Sequence, residues 1–69
     1  TKATTAVDVL GKLLLEDKSH SVRMACAQAL GLLGGDQARQ LLRQALARET
    51  DDYVKILIKE GLDRIPIGK

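Results

Sequence analysis

Apolar residues recur along this chain at intervals of three and four positions, the spacing that places them on one face of an α-helix. Four such segments follow one another, and none alternates apolar and polar residues in the manner of a strand. The pattern therefore predicts four antiparallel helices and no sheet. The expected helices lie near residues 6–16, 20–33, 37–48 and 52–65.

Residues that favour helix ends stand between these segments. Short polar side chains accept hydrogen bonds from the free amide groups at a helix start. Glycine adopts the left-handed conformation common at helix ends, and proline cannot continue a helix. The expected helix starts are Thr5, Ser19, Asp36 and the pair Thr50 and Asp51, and the expected ends are Gly34 with Gly35 and Pro66.

The pattern also repeats. Residues 6–33 and 38–65 align without gaps at an offset of 32 positions, so that Leu10 matches Leu42 and Val22 matches Val54. A period of this length is typical of solenoids, in which each unit buries its apolar face against its neighbours. The predicted fold class is all-α, an alpha-alpha superhelix of about four antiparallel helices.

Helical wheels predict which side chains are buried. On the second helix Ala27, Gly31 and Leu32 lie off the main stripe and are small or apolar, so we expect this helix to be covered on several sides. At the equivalent positions the fourth helix has charged residues and should face water. Val7 and Leu15 lie off the stripe of the first helix, which indicates a missing neighbour there. The predicted core is Val22, Cys26, Ala29, Leu30, Leu41, Leu42, Ala45 and Ile58.

Composition narrows the possible functions. The chain is 45% hydrophobic and 29% charged, with a net charge of +2, which does not by itself indicate nucleic acid. Tyr53 is the sole aromatic residue, which argues against stacking on single-stranded nucleic acid. Cys26 is the sole cysteine, so no internal disulfide forms and a buried thiol is expected. No apolar run reaches the ~18 residues of a membrane span, and we expect a cytoplasmic protein.

The segment Ser21-Val22-Arg23, followed by ACAQALGLLGG and Asp36-Gln37, resembles a HEAT repeat. It is most similar to the short HEAT-like repeat named after phycobilisome lyases. The resemblance covers about residues 6–65 and implies that the first helix of each repeat lies on the convex side and the second on the concave side.

The resemblance also implies a domain organisation. Residues 1–69 form a single HEAT-like domain with a half repeat at 5–17, a full repeat at 19–49, a half repeat at 50–65 and a tail at 66–69. Because the chain starts partway through a repeat, we expect it to be excised from a longer protein. Its N-terminal helix would then self-associate or pack on a missing repeat.

The histidine, cysteine and acidic residues of the chain give little indication of catalysis. His20 is the sole histidine and is six positions from Cys26, whereas groups on one helix face are three or four apart. Asp51 and Asp52 are adjacent acids at a helix start, where they interact with the helix dipole. The His-Glu pairs of HEAT-like di-iron hydroxylases are absent. We therefore expect no enzyme activity, no catalytic residues, no metal and no cofactor.

Arg23 and Lys55 occupy the basic position that follows Val in the family pattern. In HEAT arrays this side chain commonly meets an acidic residue of a neighbouring turn, and Asp17, Asp51 or Asp52 is the expected partner. This resemblance implies a structural ion pair that contributes to register between repeats.

The third helix has the surface that most strongly indicates a binding site. Opposite its apolar stripe lie polar residues with no acid among them, and the resemblance places this face on the concave side. It is either a solvated face of good helix formers or a groove that binds a protein or an acidic peptide. The candidate partner-binding residues are Arg39, Gln40, Arg43, Gln44 and Arg48.

Two other functions remain open at this point. A nucleic-acid-binding module would use Arg39, Arg43 and Arg48 on a basic concave face. It is less favoured because the first helix has Val7 and Gly11 where the third has Arg39 and Arg43, so the basic row does not repeat. A lyase or chaperone for a tetrapyrrole rests on the subtype resemblance alone, with no identified ligand-binding residue. The favoured function is a non-enzymatic protein-interaction or scaffolding module.

Overall fold

The computed structural model describes residues 5–66 and places four helices there: α1 (Ala6–Glu16), α2 (His20–Leu33), α3 (Asp36–Arg48) and α4 (Asp52–Arg64). No strand occurs within these residues. The four predicted helices are confirmed to within one residue at each end. The predicted tail, residues 66–69, lies outside the described residues apart from Pro66.

Three of the four predicted helix starts are capped as expected. The Thr5 hydroxyl accepts from the Asp8 amide at 3.1 Å while the Asp8 carboxylate accepts from the Thr5 amide at 3.2 Å, which is a capping box. Ser19 Oγ accepts from the amide of Val22, and Asp51 Oδ1 accepts from the amides of Tyr53 and Val54.

The predicted cap at Asp36 is wrong. Gly35 precedes α3 with a φ of 92° and makes no side-chain cap hydrogen bond, and Asp36 is the first residue of the helix itself. Its carboxylate still lies near the positive end of the helix dipole. Gly34, with a φ of 72°, ends α2 in the left-handed region as predicted.

The helix pairs repeat in space as they do in sequence. Helix α1 packs on α2 and α3 packs on α4, while the equivalent helices lie side by side, α1 with α3 and α2 with α4. A close backbone approach holds α2 against α4: a Cβ atom added at Gly31 would lie 2.7 Å from the Cα of Gly61. This arrangement is the stacking of a helical solenoid.

The core lies between the two pairs. Cys26, Leu30, Leu42, Ala45 and Ile58 are buried as predicted, whereas Val22, Ala29 and Leu41 are half-buried. Ala29 is equivalent to Gly61, which faces α2, and no described helix covers α2 on the corresponding side. Five further apolar residues are buried although the predicted core omits them: Leu14, Ala27, Ala38, Val54 and Ile65.

Two expectations about helix coverage need correction. Ala27 and Gly31 are buried against α4 as predicted, but Leu32 is 67% exposed because its side chain points about 100° away from the crossing. On α1, Val7 and Leu15 pack against the core, and the exposed apolar residues are instead Val9 and Leu13. Helix α3 covers α1 on the side of Gly11, whose added Cβ would lie 2.6 Å from Leu41 Cδ1. Self-association of this helix stays a prediction.

The outer face of α4 agrees with its expected role as a solvent-facing helix. Lys59, Asp63 and Arg64 are all exposed. Tyr53 and Ile56 on the same helix are also exposed, at 71% and 51%. The polar side chains keep this helix compatible with water although single apolar residues lie among them.

Candidate functional site

Arg23 forms the best-defined polar cluster of the molecule. Its Nε and Nη2 atoms donate to the two carboxylate oxygens of Glu49, both at 3.0 Å. Its Nη1 atom donates to the main-chain carbonyls of Asp17 at 2.8 Å and Lys18 at 3.0 Å. Glu49, whose side chain is only 5% exposed, also accepts from the amide of Asp51. The cluster therefore connects the turn after α1 with the turn after α3.

The predicted acidic partner of Arg23 is therefore wrong. The acid is Glu49 rather than Asp17, Asp51 or Asp52, and Asp17 contributes its main-chain carbonyl instead. The hydrogen bond to Glu49 raises the pKa of Arg23, so the guanidinium stays charged at all ordinary pH values. With all its hydrogen bonds internal, this cluster has a structural role and leaves little capacity for a ligand.

The residues considered for catalysis do not assemble into a site. His20 and Asp52 are exposed at the starts of different helices, and Cys26 is buried in the core. Within residues 5–66, no group of three or more His, Cys, Asp or Glu side chains could hold a metal ion. None of the helices in this range is both long enough and apolar enough to cross a membrane.

The Cys26 thiol provides a direct test of the core. Burial raises its pKa, and the negative charge of Asp17 adds to the effect, so the reactive thiolate is suppressed in the folded state. We expect a thiol reagent to label the native protein at least about tenfold more slowly than the unfolded protein. Measuring the labelling rate with and without urea checks this prediction, and fast native labelling would contradict the placement of α2.

The five candidate residues on α3 do not share one surface. Successive helical residues turn by about 100°, so Arg39 and Arg43 differ by only about 40°, whereas Arg48 lies about 140° round from Arg43. Arg48 faces a separate depression near α1, lined also by Leu14, Arg23 and Glu49. Gln40 and Gln44 are exposed on the face between. Arg39 and Arg43 alone line a groove.

This groove, which we call the terminal groove, has a volume of about 480 Å³ and lies between α3 and the end of α4. Its floor is apolar, and the two arginines stand one helical turn apart on its rim. Helical periodicity did not reveal it, because the floor combines side chains from two helices. The lining residues are Arg39, Arg43, Leu46, Ala47, Leu62 and Ile65.

The terminal groove carries positive charge that the rest of the described chain neutralises only weakly. Arg39 Nη2 lies 3.8 Å from Asp36 Oδ1, and the Asp36 side chain is 74% exposed, so this pair contributes little. Arg39 Nε is buried and forms no hydrogen bond with another described residue. Arg43 is exposed, and none of the residues that line the groove is acidic. The groove thus offers apolar contacts beside two guanidinium groups.

Paired helices that repeat in sequence and pack side by side define an α-helical repeat protein. The family model for HEAT repeats matches residues 1–63, and the chain belongs to this family. HEAT repeats generally mediate protein–protein interactions or scaffolding, and the family is typically non-enzymatic. Searches of curated proteins and of solved structures found no match to this chain.

Proposed function

We propose that this chain is a non-enzymatic protein-interaction module that binds an acidic segment of a protein partner at Arg39 and Arg43. The terminal groove is the observation that supports it. Two guanidinium groups one turn apart can each bind a carboxylate through paired hydrogen bonds, and the apolar floor beside them supplies contact area. Gln40 and Gln44, which are exposed next to the rim, extend the surface with hydrogen-bonding groups. Arg48 lies outside this site.

A protein partner fits these features better than nucleic acid. A duplex would need basic residues repeated on successive helices, but α1 has Val7 and Gly11 where α3 has the two groove arginines. An apolar floor also contributes nothing to phosphate binding. The lyase subtype remains a prediction, and no residue of the groove points to a tetrapyrrole. We propose a cytoplasmic location for the module.

Charge reversal at the rim tests the proposal. We expect Arg39→Glu combined with Arg43→Glu to weaken binding of an acidic peptide about tenfold, because two charge pairs are lost and repulsion is gained. The probe is a fluorescent synthetic peptide of about 15 residues, in which leucines recur every three or four positions and two glutamates lie four apart. Fluorescence anisotropy measures its dissociation constant, and a DNA duplex serves as the competing ligand.

The control is Lys12→Glu combined with Lys59→Glu, which changes the net charge equally at exposed positions outside the groove. The control variant should retain peptide binding to within about twofold at physiological salt, because screening limits distant charges. Equal weakening by both variants would mean a general charge effect. Tighter binding of the DNA duplex than of the peptide would favour the nucleic-acid alternative instead.

A further inference from the structure

The 32-residue repeat relates the terminal groove to a surface that is already occupied inside the molecule. Four of its lining residues on α3 have equivalents on α1, and Leu62 on α4 is equivalent to Leu30 on α2. At that inner surface α3 itself packs onto α1 and α2, and Leu14 and Leu30 are fully buried. The equivalents of Arg39, Arg43, Leu46 and Ala47 are Val7, Gly11, Leu14 and Leu15.

The terminal groove and the equivalent inner surface share an apolar floor but differ at the rim. The floor stays apolar, since Leu46 and Leu62 stand where Leu14 and Leu30 stand in the first copy. The rim differs, because Arg43 replaces Gly11, where an added Cβ atom would collide with Leu41 of α3. A helix on the terminal groove must therefore lie farther out than α3 does and must meet positive charge.

We infer that the protein partner enters the terminal groove as an amphipathic α-helix, placed against α3 and α4 as α3 is placed against α1 and α2. This inference rests on the proposed function and specifies how the acidic segment binds. The apolar stripe of the partner helix contacts Leu46, Leu62 and Ile65. Acidic side chains one turn apart on the same helix pair with Arg39 and Arg43.

A helix suits this floor better than an extended segment does. An extended chain would lay its own amide and carbonyl groups against Leu46, Ala47 and Leu62, which offer no polar side chain to satisfy them. A helix satisfies its backbone internally and presents only side chains to the groove. Acidic residues four apart on that helix also span the same rise of about 6 Å as Arg39 and Arg43.

A second copy of this chain is a poorer occupant. Its α1 would be the equivalent element, and Val9 would take the place of Leu41, directly opposite Arg43. Asp8 of that helix already accepts a hydrogen bond from Gln37 within its own copy. An apolar side chain against an arginine leaves the guanidinium without a partner, so the charge of the groove selects an acidic helix of another protein.

Two substitutions separate an occupied groove from a simple basic patch. Ala47→Arg puts a large side chain into the groove, whereas Tyr53→Arg adds the same charge at the start of α4, away from the groove at the end of that helix, and both positions are exposed. With the leucine- and glutamate-containing probe peptide, we expect Ala47→Arg to weaken binding at least about fivefold. Tyr53→Arg should leave binding within about twofold of the wild type, although both variants gain one positive charge.

A second experiment tests whether the bound peptide is helical. A peptide of the same charge with two central prolines cannot form the helix, and its binding should be too weak to measure. Circular dichroism should show added helical signal when the original peptide binds. If the proline peptide binds equally well while the double charge reversal at Arg39 and Arg43 still weakens it, the acidic-segment function stands and the helix is ruled out.

Four further results would overturn the helix inference. Equal strengthening by Ala47→Arg and Tyr53→Arg would mean that the partner responds only to net charge, and strengthening by Ala47→Arg alone would mean a simple basic patch. Either result overturns the inference. Failure of both peptides to bind the wild-type protein would overturn the inference and the proposed function together. Sedimentation that shows a dimer, dissociated by Ala47→Arg and unaffected by Tyr53→Arg, would assign the groove to a second copy.

Discussion

Gly31→Ala should lower the free energy of unfolding by about 2 kcal/mol, a large part of the ~3–5 kcal/mol expected of a domain this small. The added Cβ atom would lie 2.7 Å from the Cα of Gly61, and a backbone atom cannot rotate away. Relief requires α2 and α4 to separate along their whole contact. That cost of up to ~3 kcal/mol exceeds the ~1 kcal/mol by which alanine favours a helix over glycine.

Two other glycines provide matched controls for this prediction. At Gly11 the nearest atom is Leu41 Cδ1 at 2.6 Å, the end of a flexible side chain that can move aside. At Gly61 the nearest is Leu42 Cδ1 at 3.1 Å. Gly11→Ala and Gly61→Ala should therefore each be less destabilising than Gly31→Ala. Urea unfolding followed by circular dichroism measures all three, and a Gly31→Ala protein as stable as the wild type would disprove the close crossing.

Glu49→Ala should also be strongly destabilising and should lower the thermal unfolding midpoint by at least about 5 °C. The substitution removes both carboxylate bonds to Arg23 and the acceptor for the Asp51 amide, and it leaves a partly buried guanidinium with only main-chain partners. An unpaired charge in such a place costs more than a surface ion pair contributes. Thermal unfolding by calorimetry should show the lowered midpoint.

Asp52→Ala is the matched control, because Asp52 is an exposed acid only three positions away and should cost about 0.5 kcal/mol or less. A second control replaces both members of the pair, Arg23→Met with Glu49→Leu. This double variant should recover part of the lost stability, since no charge is left unpaired. If Glu49→Ala and Asp52→Ala prove equally mild, the Arg23 cluster contributes no more than an ordinary surface pair.

The local features of the fold were predictable because they depend on neighbouring residues. Apolar spacing located all four helices, and the caps at Thr5, Ser19 and Asp51 require only amides two or three positions away. Asp36 was misassigned because two consecutive glycines permit a helix start without a side-chain cap. The choice between Asp36 and Gly35 depends on backbone angles that residue type alone does not specify.

The contacts of the candidate binding residues and of Arg23 could not be predicted from the sequence. Arg39, Arg43 and Arg48 were grouped on one polar face, although a rotation of about 100° per residue already places Arg48 about 140° from Arg43. The sequence could not show that α4 ends beside Arg39 and Arg43. It likewise could not identify Glu49 as the partner of Arg23, because the two are 26 positions apart. The partner of Arg23 and the floor of the groove both depend on which helix lies beside which side chain.

The sequence by itself determined the helices, their order and their repetition, since spacing, capping and breaking residues act within one or two turns of the chain. Only the tertiary structure decided that Gly31 meets the backbone of Gly61, that Leu32 stays exposed, and that Arg39 and Arg43 stand beside an apolar floor. The physical reason is that a helix has several faces of similar polarity. Which face becomes a contact depends on the crossing with another helix, and that crossing depends on packing across the whole domain.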